Sequence, residues 1–462
     1  MVLRAPLATL SLLAVVIGAI AQAVSGSQPA GWVAAAGLIL YLALEGWHCR
    51  GNGRVILGLA MAAAAAAMVW QPQAGALLMK AALASSAIIG LFTALSFLRE
   101  AAETSALVQA CGELMVRQPP GRRYLVLTLG SHLISLVLNF GVLPLLGTMV
   151  TKGNTMDAAG GDARIVAIRS QRMLSAMLRG FAMMTAWSPL SVSFAVTIVV
   201  IPGVNWQTLL PVQICLAAML LWVGMFLDRR AFPRPANPPP RPEGATDWKP
   251  AWRMIALIVA VVCGAIVVAE ILGLRLVIGA MIVVPVAALI WMWVQKRNLG
   301  QVFAELWQRL LVSMPAFREE VAMLGGAMFL GTVASSFLPA ETIGAVITHW
   351  GLPAPLLLVL LAWAIMILAQ LGVSQIVSVT LLGGALIHAA PPMVLASTVM
   401  GAWALSACST PVGAAVLTVA RIGGVPVRIV ASEWNGRYVL VGALIMAVWA
   451  MGLSLLVQLL AP

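Results

Sequence analysis

A proline flanked by hydroxyl residues interrupts a long apolar stretch at two places, Trp187-Ser188-Pro189-Leu190-Ser191 and Ser409-Thr410-Pro411-Val412-Gly413. Proline removes an amide donor and clashes with the preceding turn, so a helix that carries it in mid-stretch kinks or breaks. In hydrocarbon the freed amides and carbonyls have no water to turn to, and a break survives only where neighbouring protein or a bound solute satisfies it. Each break follows a second interruption, Leu138-Asn139-Phe140-Gly141 in the first half and Gly372-Val373-Ser374-Gln375 in the second. The order of interrupted segment and then broken helix is therefore repeated, which points to a transporter.

Hydrocarbon is the relevant solvent because 62% of the 462 residues are hydrophobic and 9% charged. That leaves too little polar surface to cover a water-soluble globule, so the chain reads as an all-α polytopic membrane protein. The 27 Lys+Arg against 15 Asp+Glu would indicate nucleic acid in a soluble protein. Here most basic residues fall in short segments between apolar runs, so the excess reports topology and implies no nucleic-acid partner. Cys49, Cys111, Cys215, Cys263 and Cys408 are scattered without metal-ligand spacing and read as small buried hydrophobes. No Walker motif, zinc signature or nucleophile elbow stands out, so neither an enzyme nor ATP-driven transport has a basis in the sequence.

Apolar spans of about 20 residues fall at 5–24, 30–47, 55–71, 76–98, 173–200, 206–227, 254–272, 275–294, 319–338, 393–420 and 438–458, about eleven in all. The first follows Arg4 like a signal peptide, yet it is long enough to span and lacks a clear small-residue cleavage site, so it reads as a retained helix. Residues 124–151 and 353–388 carry their interruptions near the middle and read either as single crossings or as re-entrant hairpins. Charge decides between the two. With both as hairpins, Arg50, Arg54, Arg117, Arg122, Arg123, Lys152, Arg164, Arg169, Arg172, the basic cluster from Arg229 to Arg253, Lys296, Arg297, Arg421, Arg428 and Arg437 share one side. The connections near 25–29, 72–75, 201–205, 339–352 and 389–392 hold no Lys or Arg. The positive-inside rule makes the basic side cytoplasmic.

The expected fold is thus two inverted repeats with the N-terminus inside and the C-terminus outside. An N-terminal helix (1–29) precedes a first repeat (30–227) with hairpin 124–151 and broken helix 173–200. A proline-rich basic cytoplasmic linker (228–253) leads to a second repeat (254–462) with hairpin 353–388 and broken helix 393–420. The linker contains Pro233, Pro235, Pro238, Pro239, Pro240 and Pro242, a composition suited to extended chain. Residues 101–118 and 299–316, with Glu103, Glu113, Glu305 and Arg309, read as interfacial helices.

The candidate site combines tips and breaks. Asn139, Phe140 and Gly141 form one tip, and Ser374, Gln375 and Ser378 lie at the other; Ser188, Pro189 and Ser191 form the first break, and Ser409, Thr410, Pro411 and Gly413 the second. New helix N-termini there attract anions and C-termini attract cations, and neutral oxygens of Asn139, Ser188, Ser374 and Thr410 could hold sodium. Taken singly, each motif can equally be a kink or a packing contact. Glu100, Glu270, Glu319 and Glu341 sit near span ends, so no acid is placed in mid-span for a proton relay. Arg179 either snorkels to the interface or reaches an anionic substrate. His132 either donates to a neighbouring carbonyl or titrates, and His388 reads as interfacial. Residues 151–162 read as a flexible cytoplasmic loop.

With these tips and breaks the chain resembles the ion transporter superfamily, which includes divalent anion/sodium symporters, citrate and gluconate permeases and arsenite or sodium/proton transporters. The resemblance implies a scaffold and a transport domain in each protomer, substrate and ions held between hairpin tips and unwound helices, a homodimer, and elevator-like movement. Sodium-coupled members often carry Ser-Asn-Thr at the tips; this chain has Leu138-Asn139-Phe140 and Val373-Ser374-Gln375, and Asn139 matches the central position. The expected function is secondary active transport of a small anionic metabolite, a carboxylate, coupled to sodium or protons, in a bacterial inner membrane and with no cofactor beyond the coupling ion. A cation/proton antiporter, an oxyanion exporter and a non-transporting membrane assembly subunit stand as alternatives.

Overall fold

The apolar runs become helices that pair through small residues and leave their large apolar side chains facing outward. The computed structural model describes residues 3–233, 247–337 and 351–460, and among them every regular element is helical. The proline-rich centre of the linker (234–246) and most of the connection expected at 339–352, including Glu341, lie outside the described residues.

The first four helices are α1 (Arg4–Ser25), α2 (Gln28–Glu45), α3 (Gly51–Trp70) and α4 (Ala74–Glu103). They pack with α11 (Lys249–Leu272), α12 (Leu276–Lys296), α13 (Leu299–Ala316) and α14 (Arg318–Ser335) into one sub-bundle. Tyr41 Oη donates to the Met314 carbonyl at 2.6 Å, Thr9 Oγ1 to the Leu310 carbonyl at 3.3 Å, and Arg4 Nε to Glu45 Oε1 at 2.8 Å. The expected interfacial segment 299–316 is α13, and the segment 101–118 is split between the end of α4 and α5 (Ala106–Val116). Glu305 on α13 is held below its ordinary carboxyl value, first by hydrogen bonding to Lys296 and then by Arg309.

The second sub-bundle contains both interrupted segments and both breaks. α6 (Pro120–Leu138) and α7 (Val142–Gly153) are joined at Asn139–Gly141; α8 (Ala163–Met184) and α9 (Val192–Val200) are the two pieces of the first broken helix; α10 (Trp206–Ala231) follows. α15 (Ala354–Gln370) turns into the short α16 (Gln375–Ser378), which runs on as a π-turn over Val379–Gly383. α17 (Pro392–Ala407) and α18 (Ala414–Gly423) are the second broken helix, and α19 (Gly436–Leu460) ends the described chain.

The direction of the first interrupted segment follows from side-chain pairs that advance together along α6 and α8. Arg123 lies beside Arg169 and Arg172 at one end. Farther along, Ser131 Oγ donates to the Met177 carbonyl at 2.8 Å and His132 Nδ1 to the Gly180 carbonyl at 3.1 Å. The two helices therefore run parallel, and α7 carries the chain back to the end where it began, with Gly153 against Val116. At that same end Arg172 Nη2 meets Asp228 Oδ2 at 2.7 Å, near the end of α10. The close approach depends on Gly180, where an added Cβ would strike the Thr128 carbonyl oxygen. The second broken helix runs the opposite way: α17 starts at Pro392 beside Gly203, which follows α9, and α18 finishes at Gly423 against Leu174 of α8.

Nine helical stretches among the described residues are long and apolar enough to cross a membrane. Eight correspond to expected spans, as α1–α4, α10–α12 and α19; the ninth is 121–153, the segment that turns back on itself. The expected spans 173–200 and 393–420 are divided at their breaks, and 319–338 corresponds to α14. Ile17, Val69, Val267, Ile290 and Val448 are among many large apolar side chains that are exposed, a surface compatible with lipid and not with water. The chain is a multi-pass integral membrane protein. Two details depart from expectation. Cys49, Cys111 and Cys408 are buried, but Cys215 and Cys263 are exposed on the outer faces of α10 and α11. Arg275 lies in the α11–α12 turn, on the end where no basic residue was expected.

Candidate functional site

At the first break α8 stops at Met184 and α9 starts at Val192. Ser188 Oγ accepts from the Leu190 amide at 3.1 Å, and its carbonyl accepts from Ser191 Oγ at 2.7 Å. Ser191 caps α9, its hydroxyl accepting from the Phe194 amide at 3.2 Å, as hydroxyl residues do at helix starts. The Ala186 carbonyl, orphaned by the break, accepts from Gln213 Nε2 of α10 at 2.6 Å. Gln213 is itself held, because its Oε1 accepts from Ser397 Oγ at 2.8 Å, and Ser397 accepts from Trp449 Nε1 at 2.9 Å.

At the second break α17 stops at Ala407 and α18 starts at Ala414, behind Gly413, which offers no capping side chain. Thr410 Oγ1 donates to the Ala369 carbonyl at the end of α15 at 2.7 Å, and Gln370 Nε2 donates to Ser409 Oγ at 2.6 Å. These two bonds fasten the break to the hairpin that precedes it.

Both tips and both breaks border one cavity of about 140 Å³. Asn139 and Phe140 come from the first tip, Ser374 and Gln375 from the second; Ser191, Val192 and Ser193 come from the first break, and Thr410, Gly413, Ala414 and Ala415 from the second. Phe181, Trp403 and Met323 supply apolar walls. The volume is several times what one water needs and well below the roughly 300–1,000 Å³ of drug-sized sites, so the cavity suits a small solute. The larger apolar groove between α10 and α19, lined by Met219 and Leu453, lies on the outer face and has no Ser, Thr, Asn or Gln in its lining.

Two helix N-termini open onto this cavity. The amides of Val192 and Ser193 at α9, and of Ala414, Ala415 and Val416 at α18, have no acceptor among the described residues. Unsatisfied amides at a helix start carry positive partial charge and favour anions. Asn139 adds backbone strain, with φ 49° and ψ −126°, a region that suits glycine far better than a side-chain-bearing residue. Its side chain makes no hydrogen bond among the described residues, and the residue lines the cavity.

Several expected site residues fall elsewhere. Ser188 and Pro189 are buried behind the cavity wall, and Ser188 spends its hydroxyl on the Leu190 amide. Ser409 faces the outer groove beside Gln370, and Ser378 donates to the Ser374 carbonyl at 3.3 Å. Pro411 and Gly141 do not line the cavity; Gly141 instead packs against the guanidinium of Arg99, which is paired with Glu103 at 3.0 Å. Of the four oxygens considered for sodium, those of Asn139, Ser374 and Thr410 belong to cavity-lining residues and that of Ser188 does not. Ser193, Met323 and Trp403 line the cavity and carried no distinguishing mark in the sequence. The one available signal was position, since Ser193 stands two residues into the helix that restarts after Pro189.

His132 and Arg179 are both built into the protein. His132 Nε2 accepts from Trp187 Nε1 at 2.9 Å while Nδ1 bonds the Gly180 carbonyl. An indole N–H only donates and a carbonyl only accepts, so this pair of partners fits the neutral ring with its proton on Nδ1. Arg179 neither snorkels nor reaches the cavity. It is buried, with Nε on Asn435 Oδ1 at 2.9 Å, Nη1 on Tyr124 Oη at 2.9 Å and Nη2 on the Trp434 carbonyl at 2.8 Å, and it lies over the Tyr438 ring.

No family model matches the chain, and no curated protein matches it. Among solved structures, the Alcanivorax borkumensis YdaH transporter, described as having an unusual topology, is similar at 15% identity with a TM-score of 0.45, over 78% of this chain and 84% of that one.

Proposed function

We propose that this protein is a secondary active transporter that carries a small anionic metabolite, a carboxylate, through the cavity between its hairpin tips and broken helices. One observation carries the reading: two helix N-termini with free amides, from α9 and α18, converge with Asn139 and Gln375 on a single small cavity. An anion is favoured over a cation there because amide groups donate and the positive ends of both helices point inward. No carboxylate lines the cavity among the described residues, which is where a cation/proton antiporter would hold its titrating acid. His132 is satisfied as a neutral ring, so sodium held by neutral oxygens is the preferred coupling ion. The opposite directions of the two broken helices support an inverted repeat of the kind found in the ion transporter superfamily, and with it an elevator-type movement in a homodimer of the bacterial inner membrane.

Uptake by purified protein in proteoliposomes tests this. An inward sodium gradient is expected to drive accumulation of a labelled mono-, di- or tricarboxylate, and a pH gradient in sodium-free buffer is expected to leave only background. Full uptake under the pH gradient alone overturns sodium coupling. No uptake of any of the three carboxylates under either gradient overturns the carboxylate reading.

A further inference from the structure

The first break keeps more donors free than its role as a kink requires. Ser191 satisfies two amides of α9, its hydroxyl accepting from Phe194 and its carbonyl from Ala195. The amides of Val192 and Ser193 remain without an acceptor among the described residues. Ser193 Oγ is a third free group: the residue is 1% exposed, its hydroxyl has no hydrogen-bond partner, and it lines the cavity. A serine inside a helix ordinarily returns its hydroxyl to the carbonyl four residues back. For Ser193 that residue is Pro189, which lies in the break where the helical ladder is interrupted. Thr197, one turn farther along α9, is also without a partner but does not line the cavity. A buried hydroxyl left unpaired lowers stability, and such groups persist where something else supplies the missing partner.

We infer that Ser193 is a specificity-determining ligand residue: its hydroxyl and the amides of Val192 and Ser193 form a three-donor cradle for one carboxylate group of the transported anion. The inference rests on the transport reading above and assigns which part of the site holds the charged end. Three neutral donors at a helix start suit a singly charged, planar carboxylate. A phosphate dianion can also sit at a helix N-terminus, but it brings a second negative charge, and no Arg or Lys lines the cavity among the described residues to offset it. A cation is disfavoured because two of the three groups are amides, which only donate.

The test is calorimetric titration of the full-length protein in lipid nanodiscs with acetate, succinate and inorganic phosphate at constant pH. Wild type is expected to bind at least one of the two carboxylates more tightly than phosphate. Ser193→Ala is expected to weaken that binding by about ten- to a hundredfold, the effect of losing a hydrogen bond to a charged group, while Ser193→Thr restores it to within about tenfold and Thr197→Ala leaves it unchanged. The ligand-free Ser193→Ala protein is expected to melt no lower than wild type, since the substitution removes an unpaired buried hydroxyl. Should Ser193→Ala not fold, Ser193→Cys gives the same comparison with a weaker donor of similar size. Wild-type affinity in Ser193→Ala, or in Ser193→Cys where that variant stands in for it, overturns the cradle and leaves the transport reading standing. Tighter binding of phosphate overturns the carboxylate assignment, and a wild type that binds neither carboxylate overturns the carboxylate reading together with the cradle.

Discussion

At the first break the stranded carbonyl of Ala186 is taken up by Gln213 from another helix, whereas at the second the hydroxyl of Thr410 ties the chain to its own hairpin. The first break is also capped by its own serine, while the second begins behind a glycine with no cap. The first is therefore anchored outward, through Gln213 and Ser397 to Trp449 on α19, and the second is anchored to α15. Two interruptions of the same chemical type thus answer the hydrocarbon's demand for paired backbone groups in different ways. The second break is tied to its own hairpin, and the first to the helices around it, among them α17 through Ser397.

The largest effect is expected at the first anchor. Gln213→Leu strands the Ala186 carbonyl in a buried setting, which costs about 1–3 kcal/mol, and takes from Ser397 the acceptor of its proton while leaving its bond from Trp449, so the total is expected to exceed the loss of one bond. A fall in the thermal midpoint of the solubilised protein checks this, and an unchanged midpoint would mean that the break needs no outside partner. The second anchor is made of two bonds, and Thr410→Val removes the one to the Ala369 carbonyl while leaving that between Gln370 and Ser409, so it is expected to cost about 1–3 kcal/mol and to raise the reactivity of a cysteine placed at Val373 in the tip. If the variant is as stable as wild type but binds the carboxylate less tightly, Thr410 is a ligand and the proposed difference between the breaks disappears. The smallest effect is expected at Asn139. Replacing it by Gly relieves the positive φ and raises stability by about 1 kcal/mol, at the low end of what such strain costs, while carboxylate affinity falls with loss of the amide. A less stable Asn139→Gly would show that the tip geometry is enforced by packing around the side chain and is not strained.

What could be read from the sequence follows from how far each signal reaches. Length and apolarity located α1–α4, α10–α12 and α19 because a lipid-facing helix is specified by its own residues. Pro189 and Pro411 located the breaks for the same reason. The orientation of each residue at a break is a different matter, because a helix that restarts after an irregular turn has a phase that no local pattern fixes. Ser188 was expected in the site and turns its hydroxyl to a backbone amide, while Ser193 shows no such distinction in the sequence and lines the cavity. Ser409 likewise meets Gln370 across 39 positions of chain. The surroundings of Arg179 were beyond local reasoning altogether, since its partners Trp434 and Asn435 lie more than 250 positions away.

The cradle of Arg179 has an electrical consequence. A guanidinium keeps its proton under all ordinary conditions, and every hydrogen-bond partner of this one is a neutral group; Asp228, the nearby acid, is already paired with Arg172. The bundle interior therefore holds a standing positive charge. In a membrane sustaining 100 mV, one elementary charge carried fully across is worth about 2.3 kcal/mol. If α8 moves during transport, that charge crosses the field with it in the empty carrier; a bound monoanion offsets it, and each sodium ion bound with the anion restores one positive charge. The charge moved on the loaded step then counts the ions carried, and the empty step moves the Arg179 charge alone.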